Sequence, residues 1–279
     1  MNEQNQNPPG IPTPPTPGAS GAASLPPLIP VMGDAMYHPD EAPLGANAIE
    51  REPVKGVIGA VEAILRQPRR VMYHLKQPNG GSLTGWLLLI ALACSVVYGL
   101  VVGTFSAGDQ LWAAPVKICV GLLISALICL PSLYIFSCLS GSSARLVEVF
   151  GLVAGLLALM TVLLIGFAPV AWVFSQSTKS VVAMGSLHLI FWLVGTCFGL
   201  RFLKNGFRHF NARSNSGLGV WVVVFLLVVL QMTTALRPIV GKSDRFLPKA
   251  DDKQFFITHW MNCLNAEADT NAPAQNAAR

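Results

Sequence analysis

Five apolar stretches lie between Gly85 and Val240, separated by short polar loops, and each is long enough to cross a bilayer. They can be set at residues 85–105, 116–136, 149–174, 181–203 and 218–240. At 1.5 Å of rise per residue, about 20 residues match a hydrocarbon core of roughly 30 Å. Barrel strands would be about half as long and would alternate in polarity. These runs are continuously apolar, so the expected fold is all-α: a polytopic membrane bundle of five transmembrane helices, placed in the cell membrane.

The ends of the chain are different in kind. Residues 1–50 hold Glu3, Asp34, Asp40, Glu41 and Glu50 but no Lys or Arg, and 11 of the 20 prolines precede Ala46. So little apolar area cannot offset the entropy of ordering, and residues 1–48 are expected to be a disordered, proline-rich tail. No basic n-region followed by an apolar h-region opens the chain, which argues against a cleaved signal peptide. Beyond the spans, residues 241–264 carry Phe246, Phe255, Phe256, Trp260 and Leu264, enough for a short amphipathic element. Residues 265–279 are polar and Ala/Asn-rich and read as a second disordered tail.

Residues 52–77 read as an amphipathic, basic juxtamembrane helix. Val54, Ile58, Val61 and Leu65 recur at helical spacing, and Pro68 should interrupt the helix. Arg66, Arg69, Arg70 and Lys76 are the candidate lipid-headgroup contacts. Packing of this helix on the protein's own loops is an equal alternative. Pro78-Asn79-Gly80-Gly81 then marks a turn.

The net charge of +5 sits beside the spans, where it serves orientation and lipid contact rather than nucleic acid. Arg66, Arg69, Arg70, Lys76, Arg145, Arg201, Lys204, Arg208 and Arg213 fall on one side. Only Lys117 and Lys179 fall in the short loops opposite, so the N-terminus is expected in the cytoplasm and the C-terminus outside. Arg237, Lys242, Arg245, Lys249 and Lys253 work against that second placement. Trp86, Trp112, Trp172 and Trp221 lie near span ends and suit the interface, whereas Trp192 suits packing.

Small residues recur four apart at Gly99/Gly103, Gly121/Ser125, Gly151/Gly155 and Gly195/Gly199. Lipid gives helices no hydrophobic reason to associate, so close approach at small residues supplies the packing. A compact bundle follows, with homodimerisation through one such face as the sharper reading. Pro131 and Pro169 should bend the second and third spans.

Charge inside the spans is scarce. Lys117 opens the second span and can snorkel, and Arg145 and Glu148 sit at the threshold of the third. His188 is the one imidazole well inside a span, and reads first as a neutral interhelical hydrogen-bonding residue. His188, Gln231, Thr233 and Thr234 are the candidates for a polar intramembrane site. Ser125 or Ser137 with His188 could make a protease pair, yet no GxSG stretch accompanies them. His259 and Cys263 are two metal-ligand types without partners, and no CxxC or phosphate-binding glycine loop occurs. No enzyme, cofactor or metal is expected.

The layout resembles the Yip-domain family, named for Ypt-interacting proteins, and particularly its bacterial members. The resemblance covers residues 55–240 and is carried by Arg66-Gln67-Pro68-Arg69-Arg70, by Leu139-Ser140-Gly141-Ser142-Ser143, by Pro169 in the third span, and by Leu200-Arg201-Phe202-Leu203. It implies a cytoplasmic N-terminal segment before five close-set helices. Eukaryotic members are associated with small-GTPase-dependent traffic; no residue here matches a GTPase-binding surface. Residues 114–117 and 126–133 also look like bacterial membrane proteins labelled with a WASP-homology actin-binding segment. Gln77-Pro78 departs from the basic-polar continuation such a segment needs, and actin binding is not inferred.

Two functions remain. The favoured one is a non-enzymatic scaffold that organises lipid or recruits a partner through its tail. The alternative is a small transporter or channel for a weakly polar solute, using His188, Gln231, Thr233, Thr234 and the kinks.

Overall fold

The computed structural model describes residues 42–106, 110–178, 180–210 and 216–235, with Thr258, Met261, Asn262 and Asn265 beyond them. The chain divides at Ala42, and all the helices belong to the unit Pro43–Arg279. The expected tails, the post-span segment and residues 236–240 of the last span lie almost wholly outside the described residues.

Every regular element among the described residues is an α-helix. Three short ones come first: α1 (Ala48–Arg51), α2 (Gly56–Arg66) and α3 (Pro68–Leu75). Long helices follow: α4 (Gly80–Ser106), α5 (Gln110–Leu139), α6 (Leu146–Ser177), α7 (Val181–His209) and α8 (Ser216–Ala235). Four of these, α4 to α7, are long and apolar enough to cross a membrane, and α8 is shorter. The chain thus has the build of a multi-pass membrane protein.

Helix α6 occupies the middle. It packs along α4 on one flank and α7 on the other, while α5 lies on α4 and α8 lies on α5. From Gly151 to Thr161 every residue of α6 is buried. Buried hydroxyls there turn onto their own helix: Thr161 donates to the Leu157 carbonyl at 2.8 Å. Such bonds remove the cost of a bare donor in an apolar interior.

Glycine sets how closely the helices approach. A Cβ on Gly195 or Gly199 would meet the Met160 and Leu156 carbonyl oxygens at 3.1 and 3.0 Å, so α6 and α7 run antiparallel in near backbone contact. Gly99 lies directly against the Pro115 backbone and brings α4 onto α5. Gly151 meets Leu75 and Thr84; Gly155 meets Phe202 and Ile64. Gly103 is buried on the same helix as Gly99. These faces are occupied inside one chain.

Two expectations need correcting. Trp221 is not at the interface: it is 1% exposed, stacks on Phe225, and donates to the Cys129 carbonyl at 2.9 Å. A buried indole N–H needs an acceptor, and the Cys129 carbonyl of α5 supplies it. Trp221→Phe should cost about 1 kcal/mol, the usual net worth of one hydrogen bond, read by denaturant unfolding in mixed micelles. Lys117 does not snorkel. It is 1% exposed, turned into the bundle from α5. Trp86, Trp112 and Trp172 do remain exposed.

The juxtamembrane segment breaks at Gln67, and Pro68 opens α3, where a missing N–H costs nothing. Ala60, Ala63, Ile64, Val71, Met72 and Leu75 are buried in the main core. This segment therefore docks on the bundle and also leaves Val57, Ile58 and Leu65 exposed.

Candidate functional site

Two polar groupings stand out, one within the bundle and one at its end. Inside, the Tyr98 hydroxyl on α4 lies 2.7 Å from His188 Nδ1 on α7, with the rings edge to face at 5.6 Å. The pair joins two helices that flank α6. His188 Nε2 is shielded and has no hydrogen-bond partner among the described residues. Around the pair lie Val102, Leu164, Ala168, Met184 and Phe191. Tyr98→Phe should cost about 0.6–1 kcal/mol, the range for an interhelical hydrogen bond in a membrane bundle, measured by unfolding in micelles.

The height of Lys117 follows from the Gly99–Pro115 contact. Antiparallel helices that meet there put Lys117 within about one residue rise of Tyr98 along the bundle axis. A buried lysine, a tyrosine and a histidine thus share the same level.

The other members of the expected polar site lie elsewhere. Gln231 is exposed on α8, which packs on α5, whereas His188 lies on α7. Thr233 and Thr234 belong to α8, and their side chains fall outside the described residues. Ser125 donates to the Gly121 carbonyl at 2.7 Å, and the Ser137 hydroxyl is buried with no hydrogen-bond partner among the described residues. Neither is shown bonded to His188.

The second grouping forms a charged collar where α1 to α3 meet the loop between α5 and α6 and the end of α7. Gly45, at φ +86°, makes a turn into α1; a Cβ there would strike the Tyr73 ring at 2.6 Å. Its N–H donates to the Glu50 carboxylate. Arg69 donates from Nε to the same carboxylate at 2.7 Å, and its Nη1 lies 3.5 Å from His209 Nε2. The Glu50 and Arg69 side chains are only 6% and 16% exposed. Burial pushes the Glu50 carboxyl upward, but the Arg69 and Gly45 hydrogen bonds and the Arg69 charge outweigh it and hold the group below its ordinary value.

Neighbouring contacts complete the collar. Arg70 donates to the Glu52 and Pro53 carbonyls at 3.0 and 3.1 Å, and His74 lies 2.7 Å from the Glu52 carbonyl. Ser143 N–H and the Ser142 hydroxyl donate to the Phe210 carbonyl at 3.0 and 3.1 Å, capping the end of α7. The Lys76 ammonium lies 5.3 Å above the Phe210 ring.

The four expected headgroup contacts therefore divide. Arg69 and Arg70 spend their donors on the chain itself. Arg66 is exposed, with Glu62 one turn before it at 3.6 Å, and Lys76 is exposed. Glu50, Tyr98 and the inward turn of Lys117 were missed. No sequence signal names the partners of the first two, which lie 19 and 90 residues away.

No protein-family model, curated protein or solved structure matches this chain.

Proposed function

We propose that the chain is a non-enzymatic, Yip-like membrane scaffold of five spans that presents its collar and proline-rich tail to a cytoplasmic partner. The observation that carries this reading is the buried Glu50–Arg69 pair, because it locks α1 onto α3, whose apolar face is buried in the bundle core. A recruiting surface gains from such preorganisation, since no ordering cost falls on the binding step. Prolines 12, 14, 15 and 17 can dock as polyproline II in an aromatic groove.

Five spans are supported by the course of α8. Gly217 lies against Phe136 and Ser140, near the end of α5, and Trp221 reaches back to Cys129. The helix thus runs back alongside α5. Its 20 residues give about 30 Å, the thickness of a hydrocarbon core. An inward-turned Lys117 leaves the side opposite the collar with less exposed positive charge, which supports a cytoplasmic collar and an outer C-terminus.

Deleting residues 1–41 in the full-length background and comparing cross-linked partners tests the scaffold. Loss of partners is expected; an unchanged set removes the tail's role. A reporter-fusion map tests orientation, with residues 50 and 142 inside and residue 178 outside.

The transporter reading has one observation in its favour, the Tyr98–His188 pair at the level of buried Lys117. Solute flux in reconstituted vesicles that is lost in Lys117→Met would make it the better account.

A further inference from the structure

The geometry points to a site for the phosphodiester headgroup of an anionic lipid along the exposed face of α7, formed by Arg201, Lys204 and Arg208. These residues are spaced three and four apart, so they share one helix face. All three are exposed, while Phe202, Leu203 and Phe207 between them are buried. Helix α7 continues to His209, well past the apolar run, which turns what reads as a polar loop into an ordered basic ladder. No acidic side chain among the described residues pairs with any of the three, in contrast to Arg66, Arg69, Arg70 and Arg145.

Their depth can be worked out from the glycine contacts. Thr84 meets Gly151, so Trp86 on parallel α4 is level with residue 153 of α6. Trp172 lies 19 residues further along α6, about 28 Å at 1.5 Å per residue. Two exposed indoles separated by roughly the 30 Å of a hydrocarbon core mark its two boundaries.

Gly199 meets Leu156 in the antiparallel α6–α7 pair, which sets Arg201 level with residue 154, at the Trp86 boundary. Lys204 and Arg208 then stand about 4 and 10 Å outward. A headgroup layer is about 5–8 Å deep on each face. The ladder therefore climbs through the layer where lipid phosphates lie.

The ladder also has a floor. Ile190, Leu193 and Phe198, all exposed on α7 inward of Arg201, supply apolar surface there for acyl chains. Phosphate outside and hydrocarbon inside is the pattern of a phospholipid, and soluble phosphate would use only half of it.

The inference rests on the membrane-spanning build but not on the scaffold role. It is tested on the full chain in neutral detergent by native mass spectrometry, titrating phosphatidylglycerol against phosphatidylcholine with the same acyl chains. Each basic residue should contribute about fivefold, so wild type should prefer phosphatidylglycerol by well over about tenfold. Lys204→Gln with Arg208→Gln should bring the preference below about fivefold, with unchanged thermal unfolding.

Equal affinity of wild type for the two lipids overturns the proposal. So does a Lys204→Gln/Arg208→Gln protein that keeps its preference. Full displacement of the lipid by glycerol phosphate at matched concentration overturns it too, since the site would then be one for a free anion. A change in the partner set of the tail would leave all three readouts unmoved.

Discussion

Gly99→Leu should separate α4 from α5 and destabilise the bundle by about 3 kcal/mol, the upper end of ordinary overpacking costs. The new Cβ would meet Pro115 N at 3.0 Å and Pro115 Cβ at 3.1 Å, with Pro115 Cα closer still. A side chain could rotate away, but a proline backbone within a helix cannot. The measurement is equilibrium unfolding in mixed micelles, and Gly85→Leu is the matched control. Nothing lies within 4 Å of a Cβ at Gly85, so that change should stay within about 0.5 kcal/mol. Equal losses from the two variants would remove backbone proximity as the cause.

Glu50→Ala should free the collar while the spans stay assembled. Removing one member of a buried ion pair costs about 3–5 kcal/mol, and the partial exposure of Arg69 favours the lower figure. About 3 kcal/mol corresponds to a rise of roughly 100-fold in hydrogen exchange across α1 and α3, with α6 unchanged. An exchange pattern that matches wild type would show that burial of α2 and α3 alone holds the collar. Acid should mimic the substitution. Because the folded carboxyl titrates below its ordinary value, its contribution is complete above about pH 4.3. It disappears as pH falls through the lowered folded value, and stability between pH 6 and 8 should not vary on its account.

The spans were legible because a continuous apolar run of that length admits few other structures. Their ends were less so: α7 runs to His209 although its apolar run closes near Leu203. Backbone hydrogen bonds continue a helix into the headgroup zone without apolar side chains, provided its end is capped, as Ser142 and Ser143 cap this one. Which side of a wholly apolar helix faces inward leaves no periodic trace, and so the inward turn of Lys117 could not be foreseen. Gly99, Gly151, Gly155, Gly195 and Gly199 did announce close approach, because small residues have that one use in lipid. Their partners, Pro115, Leu75, Phe202, Met160 and Leu156, were hidden by distance along the chain. His188 was visible as the one ring in an oily span; Tyr98 was one apolar-looking residue among many.

The encasement of α6 has a consequence for biogenesis. Gly151 and Gly155 receive α2 and α3 from upstream and α7 from downstream. A nascent chain that stops after α5 offers its two amphipathic helices only the α4 part of their seat, and the His209 and Phe210 contacts arrive later still. Arrest variants truncated before residue 146 should accordingly expose the collar to proteases, and chains released after residue 210 should protect it. Maturation of the collar is in this way a timer on synthesis of the apolar core.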